Sequence, residues 1–389
     1  MSEDELLQLV DQNVFQSTGY IGGELSEQRR EAMDAYLGMP YGDEKEGRSQ
    51  VVLTDVQDTI EWMLPSLIEI FVSNDRAVQF TPTNADDVEA SEQETDYCNH
   101  VFYKDNEGFK ILYSWFKDAL LSKNGIVKAV PEEEIYTNDD VYEGLTPIQF
   151  AQLAENPDLE MLAVEDYIDN DTGQELFNCR VRRTKRSKKV KIYPVPPEQF
   201  LIERRALDIE SSTFTCHRLP KTQSELILEG YDEDVVRDLP SYDGEEYGEE
   251  RYTRFSFDDE YPFGDEGGAT HESTREIWIN ECYIRVDFDG DGIAELRKVV
   301  TAGGENGVLL SNDVWEHTRA PFYDICPTPI THKFFGLSVA DLTMDIQRIR
   351  TVLLRQMLDA QYLANNPRHS IIEGRVNIDD MLTDRPGRS

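Results

Sequence analysis

Basic residues are scarce for a chain of this size: 38 Lys and Arg stand against 77 Asp and Glu in 389 residues, a formal charge of −39. A molecule so acidic is not held to nucleic acid by its overall charge, so any contact with phosphates has to be local or fleeting. Cysteine is also scarce. Cys98, Cys179, Cys216, Cys282 and Cys326 lie far apart, without CxxC spacing and in odd number. That excludes a disulfide scaffold or a zinc ribbon and reads as buried thiols made in a reducing cytoplasm. The six histidines are isolated from one another in sequence and read as core or surface residues rather than a ligand set. No apolar run reaches the length of a membrane span; the best, residues 60–72, contains Glu61, Pro65 and Glu69. The acidic start, Met1 to Glu5, has no basic n-region of a signal peptide. The expectation is a soluble protein that engages no membrane. There is no GxxxxGK[ST] loop, no GxGxxG after a strand, no GxSxG elbow and no HExxH, so no enzyme class is indicated. With 77 acids, carboxylate pairs say nothing about acid–base catalysis.

What is present falls into two compositional regions. Residues 1–125 read as helical. Leu25 to Leu37 forms a surface helix ended by Gly38. Thr54 and Gln57 have capping-box spacing ahead of a broad apolar face formed by Val56, Ile60, Met63, Leu64, Leu67, Ile68 and Phe71, with Pro65 expected to kink or divide the helix. Two more helices follow over 86–104 and 109–123, with Tyr97, Val101 and Phe102 on one face, Phe109, Leu112, Phe116 and Leu120 on another, and Gly125 as the stop. Residues 126–335 read as β-rich, with short strands over 126–130, 161–168, 175–183, 189–195 and 200–202, and a meander over 275–288, 293–301 and 307–310. Small helices are expected from Thr146-Pro147, over 221–230 and over 234–239, and an exposed acidic excursion over 241–270.

Two constellations carry chemistry. Asp287, Asp289, Asp291 and Gly292 match positions 1, 3, 5 and 6 of a calcium loop, and Glu295 at position 9 offers an oxygen. Position 12 is Lys298 in place of the bidentate glutamate, and the flanks read as strands, so the stretch is either a weak Ca²⁺ site or a plain Asp-Gly turn. The one strong basic run, Arg180 to Lys191, includes Arg182, Arg183, Lys185, Arg186, Lys188 and Lys189. It reads as a contact to DNA, a contact to an acidic face of a neighbouring subunit, or a solvated hairpin neutralising acid runs such as Glu132 to Glu134. Little aromatic interleaving argues against a grip on single strands.

The most regular stretch runs from Phe335 to His369. Ser338 and Asp341 have N-cap spacing, and Leu342, Ile346, Ile349, Leu353, Met357 and Ala360 draw one apolar stripe down a helix that Pro367 stops. The opposite side carries Asp345, Arg348, Arg355 and Asp359. The order G-x-S-x-x-D-x-x-x-D-x-Q, from Gly336 to Gln347, followed by L-x-R-Q-x-L-D, from Leu353 to Asp359, resembles the helix of portal proteins of short-tailed and related bacteriophages. The likeness continues through Gly47-Arg48-Ser49, Val56 to Glu61, the Phe71 segment leading to Phe80-Thr81-Pro82, Tyr97, Asn99, Val101 and Phe102, then Pro197 to Phe200 and the turn at Asp287 to Glu295.

The resemblance implies an α+β portal fold. Residues 1–335 would form a wing and adjoining body, 336–366 a stem helix slanting along a channel, and 367–389 the start of a clip. It implies a structural, non-enzymatic head–tail connector, a dodecameric ring at one capsid vertex of the virion, assembled in the host cytoplasm. Double-stranded DNA would pass through it during packaging and ejection. Implied partners are the terminase large subunit, capsid and scaffolding proteins, and a tail adaptor. The acidity would then also give a negative channel wall along which DNA slides; its plain role is solubility. Asp345, Arg348, Arg355 and Asp359 are candidates to pair across subunits or line the channel. Portal chains of this group usually continue for several hundred residues beyond the point reached at Ser389, so the expectation is a part or shortened form that does not close a full channel alone. The rival readings are a calcium-stabilised structural or adhesion protein, resting on the Asp287 turn, and a metal-dependent hydrolase using the abundant acids.

Overall fold

The computed structural model describes residues 1–17, 23–73, 76–154, 156, 159–168, 175–240, 253–254, 272–303 and 307–365. Its elements make an α+β protein of helices and two antiparallel sheets. The acidic excursion expected over 241–270, all but Thr253 and Arg254, and the clip expected over 367–389 lie outside the described residues.

Helix α1 (Glu3–Gln16) was not anticipated, although its signal stands in the sequence. Ser2 Oγ accepts from the Glu5 amide while the Glu5 carboxylate accepts from the Ser2 amide, a reciprocal capping box. Leu6, Val10 and Val14 then bury one stripe against the second sheet, with Phe214, Ile284 and Val299. Helices α2 (Glu24–Leu37), α3 (Asp55–Val72) and α5 (Gly108–Ser122) pack into a core built on Ile60, Leu64, Leu112, Phe116 and Leu120. Gly38 ends α2 at φ 68°, as its place after the last periodic residue foretold. Three expectations fail in this layer. Helix α3 is not divided at Pro65, which faces solvent while Val56, Ile60, Leu64 and Ile68 hold both halves of the helix against the core. Met63, Tyr97 and Phe109 lie on exposed faces. Finally, α5 stops at Ser122 and Gly125 already opens a strand; glycine is required there by close approach, since a Cβ would meet the Trp115 carbonyl oxygen at 2.1 Å. Between α3 and α5, helix α4 (Val88–His100) ends in a wide turn over Val101–Asp105.

The first sheet has the order β2-β3-β1-β9, formed by β1 (Gly125–Leu145), β2 (Leu159–Ile168), β3 (Glu175–Val195) and β9 (Phe322–Ile325). Where short strands were expected, β1 and β3 are each continuous over 21 residues, or about 70 Å at 3.3 Å per residue. Their inner ends are buried at Ile126, Val127 and Val195, whereas the outer two-thirds form an arm that stands largely in solvent. Complementary charge compensates for the missing apolar burial: in the β1–β3 register Glu132 faces Lys189 and Asp139 faces Arg182. Helix α6 (Pro147–Ala154) lies at the tip, where Phe150 stacks on Phe177 with ring centroids 4.7 Å apart.

The second sheet is a meander, β4 (Phe200–Ile202), β5 (Phe214–Thr222), β6 (Glu276–Val286), β7 (Glu295–Ala302) and β8 (Val308–Val314), in that spatial order. Strands β5 and β9 were not foreseen. Helices α7 (Gln223–Leu228) and α8 (Glu233–Asp238) cover one end of this sheet through Leu226 and Val236. The two sheets meet over Ile126, Val195, Phe200, Tyr283, Phe322 and Phe334.

From there the chain enters α9 (Val339–Asn365) through a joint centred on fully buried Asn124. The Asn124 side chain donates to the Phe334 carbonyl at 3.1 Å and accepts from the Gly336 amide at 3.4 Å. Gly336 is required here by close approach, since a Cβ would lie 2.3 Å from the Thr328 carbonyl oxygen and 2.4 Å from Cys326 Sγ.

Candidate assembly surfaces

The start of α9 follows the sequence closely. The Ser338 amide donates to Asp341 Oδ2 at 2.7 Å, the Asp341 amide donates to Ser338 Oγ at 3.0 Å, and Lys123 Nζ reaches the same carboxylate at 2.8 Å. Val339 and Ala340 join the helical core with Met344 beside them.

Further along the helix its two sides are used in a way the sequence did not reveal. The side turned to the body is polar. Gln347 and Thr351 are fully buried and Arg355 nearly so. Gln347 Oε1 accepts from the Val56 amide at 2.8 Å, and Gln347 Nε2 donates to the Ala35 carbonyl at 2.9 Å, so one side chain serves the start of α3 and the end of α2. The capping box expected from Thr54 and Gln57 does not form; Thr54 makes no side-chain cap bond, and the acceptor comes from α9. Thr351 Oγ1 accepts from the Leu53 amide at 3.2 Å. Arg355 donates to the Val51 carbonyl at 2.7 Å, to Asp43 at 2.9 Å and to Glu44 at 2.6 Å. The Arg355 guanidinium beside Glu44 helps hold that carboxyl below its ordinary range. Arg348 and Arg355 both approach the Tyr41 ring, at 5.5 and 5.7 Å from its centroid. Asp359 accepts from the Ser49 amide at 2.7 Å. The segment from Tyr41 to Leu53 is thereby strapped along the helix by hydrogen bonds and ion pairs.

The apolar stripe faces out. Leu342, Ile346, Ile349, Leu353 and Met357 are 52 to 65% exposed, and Tyr362 and Leu363 extend the patch. Of the four charged residues singled out on this helix, Arg355 and Asp359 are engaged within the chain, whereas Asp345 and Arg348 are exposed. The physical reason is that the body offers α9 helix ends and a loop rich in orphan amides and carbonyls, which polar side chains satisfy and leucines do not.

The basic run lies on β3 along the arm. Arg182 makes a two-pronged contact with Asp139 at 2.9 and 3.2 Å, Arg180 reaches the same carboxylate at 3.2 Å, and Arg183 donates to Tyr142 at 3.1 Å with Asp140 at 3.5 Å. Lys185 and Lys188 are exposed, and Lys189 faces Glu132 in the register. Arg186 is placed in β3, opposite Ile135 in the same register. Within the chain, Arg180, Arg182 and Arg183 are used to pair β3 with the acids of β1.

The acidic turn joins β6 to β7. Oxygens of Asp287, Asp289 and Asp291 lie within 4.8 Å of one another. Each carboxylate already accepts backbone amides: Asp287 from Gly290 at 2.7 Å and Gly292 at 2.8 Å, Asp289 from Asp291 at 3.2 Å, and Asp291 from Ile293 at 2.7 Å. Glu295 does not join them; it pairs with Arg297 at 2.8 Å. Lys298, in the place of the closing glutamate, reaches Glu281 at 3.2 Å.

A buried ionic group that sequence reading missed ties the two sheets together. Lys128 of β1 bonds to Glu281 of β6, whose other oxygen accepts from Tyr283 at 2.7 Å. Burial would raise the Glu281 carboxyl, but the Lys128 and Lys298 ammoniums outweigh it and hold it well below the usual carboxylate range. His217 stands beside this pair. Burial, reinforced by the Lys128 cation, pushes its imidazole down to about 3, so it is neutral at ordinary pH. A groove of ≈ 1160 Å³ at the root of α9 is lined by Arg204, Arg205, Lys333, Glu24 and Glu31, with Lys123 and Asp341 already paired at its wall.

No helix among the described residues is long and apolar enough to cross a membrane. No curated protein matches the chain. A family model described as Phage SU10 portal protein matches residues 6–389, from the first turn of α1 through α9 and beyond. A match over that span places the motif-bearing helix, the arm and the two sheets in one family: the chain belongs to the phage portal proteins of the SU10 type.

Proposed function

We propose that this chain is the repeating structural subunit of a ring-shaped channel at one capsid vertex, a dodecamer in the portal pattern, through which double-stranded DNA is packaged and later ejected. The observation that carries the reading is the outward apolar stripe of α9, from Leu342 to Met357, on a helix whose polar side is already consumed by its own chain. An apolar face of that extent on a helix about 40 Å long is a surface for burial against another molecule. Closure of a ring requires a head-to-tail contact between two different faces of the same subunit. Asp345 and Arg348, both exposed on α9 with Arg348 also against the Tyr41 ring, are the charged residues proposed to act at that contact. A wall drawn from a chain of charge −39 repels phosphates, so DNA would slide without sticking. In this role the protein is a virion component without a catalytic step. Its partners are the terminase large subunit, capsid and scaffolding proteins, and the tail adaptor.

The test is native mass measurement over a concentration series, on the wild type and on Ile349→Lys/Leu353→Lys/Met357→Lys. Burial of such side chains is worth ~1.5–3 kcal/mol each, so the triple variant should weaken self-association at least about a hundredfold. Its circular dichroism should be unchanged, because none of the three packs in the monomer. A wild type that stays monomeric at every concentration, or a variant that assembles as well as the wild type, would sink the proposal.

A further inference from the structure

We infer that the outer edge of β2 is a docking site for an extended, lysine- or arginine-bearing segment of another protein, which adds a strand to the arm. Strand β2 is the last in its sheet, and among the described residues nothing pairs with its outer edge. It runs for 10 residues with one irregularity, between Met161 and Ala163. Leu162, Val164, Tyr167 and Ile168 stand 39 to 69% exposed along it. Proteins normally guard such edges with lysine or proline, and 159–168 contain no Lys, Arg or Pro.

The same arm shows what a guarded edge looks like. Strand β2 covers β3 only as far as Arg183, and Asn106 takes over at Val190 and Ile192, donating to the Val190 carbonyl and accepting from the Ile192 amide, both at 2.8 Å. The uncovered stretch between them, 184–189, reads TKRSKK. One free edge is thus lysine-rich, whereas its continuation on β2 carries exposed apolar side chains and only acids, Glu160, Glu165 and Asp166. The difference marks the β2 edge as one that is meant to be paired.

Charge selects the occupant. A second β2 would set acid against acid, which disfavours cross-strand pairing. The outer edge of β1 beyond Lys128, where β9 stops, carries Glu132, Asp139 and Asp140 and is excluded on the same ground. The lysine-rich stretch of a second copy lies on the same side of the sheet as β2, so its pairing would make a two-fold dimer rather than a head-to-tail contact. A basic segment of a different protein meets none of these objections. Its backbone would supply the hydrogen bonds, and alternate cationic side chains would align with Glu160 and Glu165, which the irregularity between Met161 and Ala163 brings to one face of the sheet, opposite Arg182 and Asn178. Among the described residues the β2 edge is unpaired and shares no residue with the α9 stripe, so this inference and the ring proposal fail separately.

The probe is a peptide of alternating Lys and Val, of the length of β2, followed by fluorescence anisotropy on the full chain. Controls are the same peptide with a central Pro and a Glu–Val counterpart. Saturable binding of the Lys–Val peptide is expected, weakened about tenfold or more by the proline and by Glu165→Lys/Asp166→Lys. On the wild type, the peptide should slow hydrogen exchange of amides within 163–168, a readout independent of how the variant folds. Equal binding of the proline peptide, indifference to the charge reversal, no change in exchange, or a two-fold dimer that Val164→Lys abolishes would each overturn the inference.

Discussion

Gln347→Met removes the side chain that closes two helix ends at once while nearly preserving its volume. Val56 is the second residue of α3, where an amide has no intrahelical acceptor. Because Thr54 makes no cap bond, Gln347 Oε1 at 2.8 Å does the work of an N-cap. Loss of an N-cap acceptor costs ~0.5–2 kcal/mol. The Ala35 carbonyl loses its 2.9 Å donor but keeps the Gly38 amide at 3.3 Å, which limits that contribution to below ~1 kcal/mol. The sum is ~2 kcal/mol, borne locally where α9 crosses α2 and α3. A local change of that size lowers protection about thirtyfold. The assay is hydrogen exchange, comparing the Val56 amide with amides in the middle of α3, such as Leu64, that have intrahelical acceptors. In the variant, Val56 should lose protection while the mid-helix amides keep most of theirs. Unchanged exchange at Val56 would refute the reasoning, because it would mean that the cap from α9 carries no weight.

Glu281→Gln leaves the Lys128 ammonium, 2% exposed, beside a neutral partner; breaking such a pair should cost ~3–5 kcal/mol, read as a lower midpoint in urea. The double variant Lys128→Met/Glu281→Leu should recover much of that loss, and a double variant as weak as the single one would contradict the argument. His217 makes a prediction about pH. Its folded value is about 3 against 6.5 unfolded, so as pH falls the unfolded chain takes up this proton first. The stability contributed by neutral His217 is therefore complete above 6.5 and is lost progressively towards 3. Subtracting the stability-against-pH curve of His217→Gln from that of the wild type should give a plateau above that window and a decline within it. A difference curve that is flat throughout would show the imidazole to be solvated.

How much was legible in the sequence varies with the range of the forces involved. The long helix, its Ser338–Asp341 start, the Gly38 stop and the small helix after Thr146 rest on contacts within a few residues, and they were read correctly. The length of β1 was not legible. Residues 131–145 are rich in acids and turn formers, and they hold an extended conformation because a basic strand lies opposite them in register. That complementarity exists only once the hairpin has formed. The Thr54 cap misled for the same reason: its local signal was overruled by a glutamine almost 300 residues away in the chain.

By itself, then, the sequence determined the locally capped helix ends at Gly38 and Ser338, the acidic character of the molecule and the motif order that marks the family, all of them properties of neighbouring residues or of simple sums. Only the tertiary structure decided which side of α9 turns inward. Hydrophobic periodicity says that one side of a helix is apolar, and the usual inference places that side in the core. Here the surface meeting α9 presents helix ends and a loop with unsatisfied amides and carbonyls. Leaving those groups buried and unpaired costs more than exposing the leucines, so Gln347, Thr351 and Arg355 turn inward and the apolar stripe is left exposed.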